Sequence, residues 1–179
     1  MPEIEIKTAK QEDLESMLAI DHSVQSNYAF QMDIDQNANN ISVSFRNVKL
    51  PRTALVKYPK NEEQLLLSWQ KASVILVGSI NSEVVAYLGL EESPGLRAIK
   101  VRDLVVAKDW RRQGIASGML LACEDWAMKR SNTTILMEVQ SRNHPAISMV
   151  KKLGYQFCGF QDHFFPNKDV AIFFHKVIR

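Results

Sequence analysis

The stretch RRQGIASG, residues 111–118, is the part of the sequence whose composition most clearly suits a chemical task. A helix begins with four backbone N–H groups that lack internal partners, and these groups carry a partial positive charge. Gly114, Ala116 and Ser117 leave room for an anion to approach them, and the two arginines add fixed charge. No acidic residue occurs in residues 111–123. The stretch therefore predicts a binding site for a phosphate or pyrophosphate group.

Two phosphate-binding motifs are absent from this stretch. A P-loop needs Gly-Lys-Ser or Gly-Lys-Thr, and a dinucleotide fingerprint needs three glycines at fixed spacing, whereas only Gly114 and Gly118 lie close together here. A purely structural alternative is that the small residues let a helix pack closely against a neighbour. The sequence therefore favours an anion site of another kind, with close helix packing as the alternative.

The composition is that of a globular, soluble protein with a single domain. The chain has 179 residues, 46% of them hydrophobic and 23% charged, and a formal net charge of +2. That charge is too small to favour nucleic acid or an anionic membrane as the partner. The first residues alternate charged and apolar types and lack the continuous apolar core typical of a secretory signal. No apolar run approaches the roughly 18 residues of a membrane span. Cys123 and Cys158 form no disulfide or zinc pattern, which predicts two reduced, buried thiols in a cytoplasmic protein.

The first 72 residues predict short elements and one irregular segment. Alternation over residues 3–7 indicates a strand, and helical spacing over residues 10–24 indicates a helix. Polar, Asn-rich sequence over residues 28–40 indicates a loop or a frayed helix. The next alternating run contains Pro51, which indicates a hairpin-like pair of strands. Asn61, followed by two glutamates, predicts a capped helix.

The rest of the chain predicts a hairpin around residues 81–83, followed by strand, helix, strand, helix and two strands. Gly154 ends the last of these helices. This order indicates an α/β domain with a mixed sheet. The apolar segment VAIFFHKVIR at the C-terminus could join a homodimer interface, and an internal sheet position explains it equally well.

The second half resembles the GNAT family of N-acetyltransferases over about residues 74–179. RRQGIA fits the family signature Arg/Gln-x-x-Gly-x-Gly/Ala, with Arg111, Gly114 and Ala116 at the matched positions. VRDLVVAKDW resembles the family's fourth strand, ILMEVQ its fifth strand, and NHPAISMVKKLGY its Asn-x-x-Ala helix. Within the family, FRNVKLPR, the EVQ strand and the tail GFQDHFFPNKDVAIFF look most like streptothricin acetyltransferase-type members. The ribosomal-protein alanine acetyltransferases come next.

The resemblance implies an α/β (α+β) GNAT fold over residues 1–179 as one domain. Its sheet would have about seven strands, mixed and mostly antiparallel, splayed between the family's strands four and five, with helices on both faces. Residues 1–72 would form the acceptor-side half and residues 73–179 the acetyl-CoA-binding half.

Acetyl-CoA is the co-substrate that the resemblance implies, with no metal. Its pyrophosphate would bind the backbone amides of residues 113–117, and its pantetheine arm would pair with the edge of residues 104–106 like an added strand. Asn143 would contact the arm near the thioester. The purely structural interpretation of Asn143 is a helix cap, and the two roles are compatible. The implied cofactor-binding residues are Leu104, Val105, Val106, Arg111, Arg112, Gln113, Gly114, Ile115, Ala116, Ser117 and Asn143.

Two carboxylates are the catalytic candidates, because an amine must lose a proton before it can attack. Glu138 matches the position of the base in alanine-acetyltransferase-like members, and Asp103 matches an acidic position used by others. We prefer Glu138, whose apolar neighbours in the sequence would partly desolvate it and raise its pKa. The alternatives are ion pairs, of Glu138 with Arg102 or Arg142, and of Asp103 with a neighbouring basic residue.

Val150 occupies the position where the family commonly has a tyrosine that serves as general acid. Valine cannot donate a proton, so the thiolate would leave unassisted or another donor would substitute. Tyr155, His144 and Cys158 are candidates nearby in sequence. Because valine replaces the family's tyrosine at position 150, a non-catalytic alternative stays open, namely an acetyl-CoA-binding sensor or interaction module.

The expected acceptor is a primary amine of a small molecule or peptide, attacked directly. Residues 1–70 carry seven basic and ten acidic residues, so this half would suit a cationic acceptor. Five acidic residues could contribute, namely Asp21, Asp33, Asp35, Glu62 and Glu63. His163, Phe164 and Asn167 precede the last strand, where the family shapes its acceptor pocket.

Overall fold

The computed structural model describes residues 3–178, except for the side chain of Pro94. The strands are β1 (Glu5–Thr8), β2 (Val24–Gln36), β3 (Ile41–Val56), β4 (Val74–Ile80), β5 (Glu83–Ser93), β6 (Ala98–Val106), β7 (Thr134–Gln140), β8 (Gln156–Gln161) and β9 (Ala171–Val177). The helices are α1 (Leu14–Ala19), α2 (Glu62–Lys71), α3 (Ile115–Lys129) and α4 (His144–Lys152). Short 3-10 turns occupy Gln11–Asp13, Pro94–Leu96 and Lys108–Trp110.

Seven of the strands form one sheet in the order β1-β4-β5-β6-β7-β9-β8, and β2 and β3 form a second sheet. The pairs β1–β4, β4–β5 and β5–β6 are antiparallel, and β6–β7 is parallel. The strands that the family counts as four and five are β6 and β7. The predicted α/β class, with a mixed and mostly antiparallel seven-stranded sheet, is therefore confirmed.

The described chain divides into two compact units. The first contains residues 3–22, 60–137 and 175–178, and the second contains residues 23–59 and 138–174. Both units are assembled from separated segments of the chain. The single domain, with a boundary between two halves near residue 72, stays a prediction.

The first unit is built around the hairpin β4–β5, which the sequence predicted. Asn81 and Ser82 adopt φ values of 49° and 67°, the left-handed conformation that tight hairpin turns need. Residues 85–90 of β5 are all buried. A Cβ atom added at Gly78 would lie 2.6 Å from the side chain of Ile4 and 3.1 Å from the sulfur of Met119, so the glycine permits close packing of α3 on β4.

The second unit contains a long hairpin that the sequence analysis missed. The prediction of a loop or frayed helix over residues 28–40 is wrong, because β2 pairs with β3 along almost its whole length. Most residues of β2 and β3 are exposed, and the Asn-rich residues 37–40, which drew the prediction of a loop, form only the connection between the two strands.

Pro51 does not split β3 into two strands, which corrects the second prediction for this region. Ser26 pairs with Ala54 and Tyr28 pairs with Lys49, so Pro51 lies in an irregular stretch without ladder partners. A proline is tolerated there because its missing N–H is not needed for pairing.

The helix predicted over residues 10–24 is shorter than expected, because α1 covers only Leu14–Ala19 and the backbone is already extended at Ile20. The helices α2 and α4 begin and end close to the predicted residues. The side-chain oxygen of Asn61 accepts a hydrogen bond from the amide of Gln64, which confirms the capped start of α2. Gly154, with φ of 85°, follows α4 as predicted. The two cysteines differ from expectation, because Cys123 is buried but Cys158 is exposed on a strand. No helix of the described chain is long and apolar enough to cross a bilayer.

Candidate active site

The turn before α3 leaves the first amides of the helix uncapped. Gly114 is the N-cap residue, with φ of 85°, and it makes no side-chain capping bond. The first helical hydrogen bond joins the amide of Gly118 to the carbonyl of Gly114 at 2.9 Å. Gly114 is exposed, and no acidic residue lies in the first turn. This helix start has the geometry that an anion site requires, and anion binding itself stays a prediction.

Arg111 is committed to backbone carbonyls. Its Nε donates to the carbonyl of Val106 at 2.8 Å and its Nη2 donates to the carbonyl of Asp21 at 2.6 Å. Burial lowers the pKa of its guanidinium, and the charge of Asp21 opposes that shift. Arg111 therefore fixes the turn to the end of β6, whereas Arg112 is exposed beside the turn. Gln113 donates from Nε2 to the carbonyl of Asp109 at 3.1 Å.

The edge of β6 changes its pairing along the strand. Residues 104–106 pair with β5 on one side, with Val105 opposite Tyr87. On the other side the ladder with β7 runs from Ala98–Thr134 to Val101–Met137, and within residues 3–178 it extends no further. An edge of this kind is what backbone pairing with a ligand needs. The carbonyl of Val106 already has one partner in Arg111.

Asp103 lies inside a buried ion pair. Its Oδ1 accepts from Nζ of Lys60 at 2.8 Å, and its Oδ2 accepts from the hydroxyl of Ser68 at 2.9 Å. The side chain of Asp103 is 0% exposed and that of Lys60 is 21% exposed. This is the ion pair of the alternative interpretation, and a catalytic role for Asp103 remains a prediction that these contacts do not favour.

A histidine and a tyrosine that the sequence analysis passed over lie in the same unit. Nε2 of His22 is 2.7 Å from the hydroxyl of Tyr87, which is fully buried. Burial, and then the charge of Asp103, raise the pKa of Tyr87 far above its usual range. Burial lowers the pKa of His22. No spacing rule could have found this pair, because its members are 65 residues apart and meet only through the fold.

Glu138 and Asn143 belong to the second unit. Glu138 is half-buried on β7, between the buried residues Met137 and Val139. The two arginines considered as its partners pair with other carboxylates, Arg102 with Glu91 at 2.8 Å and Arg142 with Asp169 at 3.0 Å.

The side-chain oxygen of Asn143 accepts from the amide of Ala146 at 3.2 Å, so the residue is a helix cap. In the described chain its side-chain nitrogen makes no hydrogen bond. A contact between that nitrogen and a ligand is compatible with capping, and it stays a prediction.

The candidates for a general acid have different surroundings. Val150 is fully buried in α4, and Tyr155 is buried at 3% exposure. The His144 ring lies 5.1 Å from that of Tyr28 and 6.0 Å from that of Phe30, measured between ring centroids. Burial raises the pKa of the Cys158 thiol, which disfavours the thiolate.

The acceptor candidates are mostly occupied by local contacts. Asn167 donates to Asp169 at 2.8 Å, and His163 lies 3.0 Å from Asp162. Asp33 pairs with Arg46 at 2.8 Å on the β2–β3 hairpin. Glu62 and Glu63 lie in the first turn of α2, where the helix dipole favours them. These contacts weaken the argument that acidic residues attract a cationic acceptor.

No group of three or more His, Cys, Asp or Glu side chains within residues 3–178 is arranged to hold a metal ion.

Comparisons with known proteins define the family. The model of the acetyltransferase (GNAT) family matches residues 44–155, more than half of the chain. The streptothricin acetyltransferase of Streptomyces lavendulae is 20% identical over 160 residues, which cover 87% of this chain and 82% of that protein.

Two solved structures share the fold. One is a protein assigned as a streptothricin acetyltransferase from Bacillus anthracis, in complex with acetyl coenzyme A, with a TM-score of 0.80, 18% identity and coverage of 99% of both chains. The other is the ribosomal-protein-S18-alanine N-acetyltransferase of Escherichia coli, with a TM-score of 0.71, 17% identity and coverage of 98% of this chain and 94% of that one.

The fold and the family match define an acetyl-CoA-dependent N-acetyltransferase. The chain belongs to the acetyltransferase (GNAT) family. The resemblance to streptothricin acetyltransferase-type and ribosomal-protein alanine acetyltransferase-type members is confirmed.

Proposed function

We propose that this protein transfers the acetyl group of acetyl-CoA to a primary amine of a small molecule or peptide by direct attack of the amine. The observation that carries the proposal is the uncapped start of α3 at Gly114. The left-handed backbone there, the small residues that follow and the exposed Arg112 suit a pyrophosphate.

The roles of the other binding residues follow from the family motifs. The amides of residues 113–117 hold the pyrophosphate, and Arg112 adds charge. Residues 104–106 offer the backbone groups of the edge that faces away from β5 to the pantetheine arm, and an amide of this edge near Val105 donates to the tetrahedral oxyanion. Asn143 contacts the arm through its side-chain nitrogen while its oxygen caps α4. Arg111 supports this set by fixing the turn to the end of β6.

Glu138 takes the proton from the attacking amine. It is half-buried, which removes part of its solvation while leaving it accessible. The thiolate leaves without a protein acid at position 150. This is tolerable because a thiol with a pKa of roughly 8.5 is a fair leaving group.

The names of the relatives point to amines of two kinds. One relative is named for streptothricin, an antibiotic, and the other for an alanine of a ribosomal protein. We therefore propose that the acceptor is a primary amine. Amines of small molecules and of peptides are the two kinds of acceptor to be tested.

The experiment has two stages. Calorimetry with acetyl-CoA measures binding without an acceptor, and we expect saturable binding to one site. A panel of lysine-like, polyamine, aminoglycoside-like and peptide N-terminal amines is then tested for acetylated product by mass spectrometry. Product detection is preferable to a thiol reagent, because Cys158 is exposed and would react with it. Binding without product from any amine would favour the sensor, and absence of binding would contradict the proposal.

A further inference from the structure

Strand β6 contains one extra residue in its ladder with β5. Gly89 pairs with Asp103 and Leu90 pairs with Val101, so Arg102 has no counterpart on β5. A bulge of this kind interrupts the ladder, bends the strand and increases its twist. The last pair of β6 with β7 is Val101–Met137, immediately before the bulge. The bulge therefore lies where the pairing of β6 with β7, as far as the structure describes the chain, comes to an end.

The ammonium group of Lys60 is bound at this bulge. Its Nζ lies 2.8 Å from Oδ1 of Asp103, 3.0 Å from the carbonyl oxygen of Arg102 and 3.1 Å from the hydroxyl of Ser68. An ammonium has three N–H donors, so this set uses all of them. The hydroxyl of Ser68 in turn donates to Oδ2 of Asp103 at 2.9 Å.

These contacts bind the bulge to a different part of the unit. Ser68 lies on α2 and Lys60 precedes that helix, whereas Arg102 and Asp103 lie on β6. The carbonyl of a bulged residue is not paired by the regular ladder, and a buried carboxylate needs a counter-ion. The ammonium group of Lys60 binds both the carbonyl of Arg102 and the carboxylate of Asp103. Removing Lys60 would take away the basic group that lies 2.8 Å from the buried carboxylate of Asp103.

We infer that Lys60, Ser68 and Asp103 are positioning residues that hold the bulge at Arg102, and thereby keep the edge of residues 104–106 in the conformation that binds the pantetheine arm. The inference rests on the proposed function. It assigns Asp103 a role other than that of a base, because its carboxylate is fully covered and both of its oxygens are hydrogen-bonded.

Three variants test the inference, and a fourth variant serves as a matched control. Lys60→Met and Asp103→Asn each remove one charge, and Ser68→Ala removes the hydroxyl while leaving both charges. The control is Lys176→Met, because Lys176 forms an ion pair with Glu124 in the same unit at 2.6 Å and is 23% exposed, close to the 21% of Lys60. All four proteins are compared with the parent at a temperature where each is folded.

Calorimetry with acetyl-CoA gives the first measurement. We expect Lys60→Met and Asp103→Asn to weaken binding by about tenfold, Ser68→Ala by less, and Lys176→Met to leave it unchanged. Amide hydrogen exchange of a peptide covering residues 101–106 gives the second measurement, with faster exchange in Lys60→Met and no change in Lys176→Met. This measurement needs neither ligand nor acceptor, so it separates failure of the inference from failure of the proposed function.

Two results would overturn the inference. The first is a Lys60→Met protein with reduced thermal stability but unaltered exchange in residues 101–106 and unaltered acetyl-CoA affinity, which would make the ion pair only a stabilising contact. The second is an Asp103→Asn protein with normal acetyl-CoA affinity and a pH profile of kcat/KM whose shape differs from the parent's. That change of shape would make Asp103 a base, whereas a positioning residue leaves the shape of the profile intact.

Discussion

The side chain of Arg111 donates a hydrogen bond from Nε to the carbonyl oxygen of Val106 at 2.8 Å, and its Nη2 reaches the carbonyl of Asp21. One arginine of the signature is therefore part of the scaffold, and its neighbour Arg112 is exposed. The two adjacent arginines have different surroundings, so their substitution should have different effects.

Replacing Arg111 by methionine should lower the free energy of unfolding by about 1–2 kcal/mol, because two hydrogen bonds to carbonyls are lost. Arg111→Lys should recover part of the loss, since lysine can reach one carbonyl but lacks the fork that reaches two. Arg112→Met should leave stability within about 0.5 kcal/mol while weakening acetyl-CoA binding. Urea unfolding and calorimetry measure the two effects. Equal stability losses for both variants would show that the contacts of Arg111 contribute little.

Gly114 and Gly154 share a φ of 85°, which makes them a matched pair for testing the helix start. Alanine at either position should cost about 1 kcal/mol of stability, because an L residue is strained there. Gly114→Glu should in addition weaken acetyl-CoA binding by about a hundredfold, equivalent to about 2.7 kcal/mol, since it places a negative charge at the anion site. Gly154→Glu should leave binding unchanged. If the two glutamate variants bound acetyl-CoA equally well, the pyrophosphate site would lie elsewhere.

Glu138 is the residue whose loss should affect the chemical step. Glu138→Gln should lower kcat/KM for an identified amine by about 10²–10⁴ and change the shape of its pH profile, in which the ionisation of the free amine remains, while acetyl-CoA affinity stays within about twofold. Glu83→Gln, on the exposed start of β5, is the control. A Glu138→Gln enzyme with the parent's profile would require another base.

The helix start at residue 114 could be predicted from the sequence because its determinants are local. Small residues, a glycine and the absence of acidic residues all lie within a few positions of one another. The cap at Asn61 and the turn at residues 81–82 were found for the same reason.

The features that the sequence did not reveal depend on the register between distant segments. Lys60 and Asp103 are 43 positions apart in the sequence, and Lys60 also binds the carbonyl of Arg102, the residue at the bulge. Strand β2 was missed although residues 30–36 alternate between apolar and polar types, because the Asn-rich residues 37–40 favoured a loop and its pairing with β3 depends on contacts between separate segments.

His22 should make the stability of the folded protein depend on pH. Burial lowers its pKa below the ordinary value of 6.5; a backbone hydrogen bond at Ile20 and the charges of Asp103 and Asp21 oppose the shift, and that of Arg111 reinforces it. Because the unfolded chain binds the proton more readily than the folded chain, stability should be fully present above pH 6.5 and fall as the pH is lowered through that value.

Urea midpoints measured between pH 5 and pH 8 should show this fall, and His22→Gln should flatten it by removing the titrating group. His163→Gln, at a histidine exposed at a turn, is the control for loss of a histidine as such. An identical slope in the parent and the His22→Gln variant would mean that protonation of His22 costs the folded state nothing, and that Tyr87 accommodates the charged ring as readily as the neutral one.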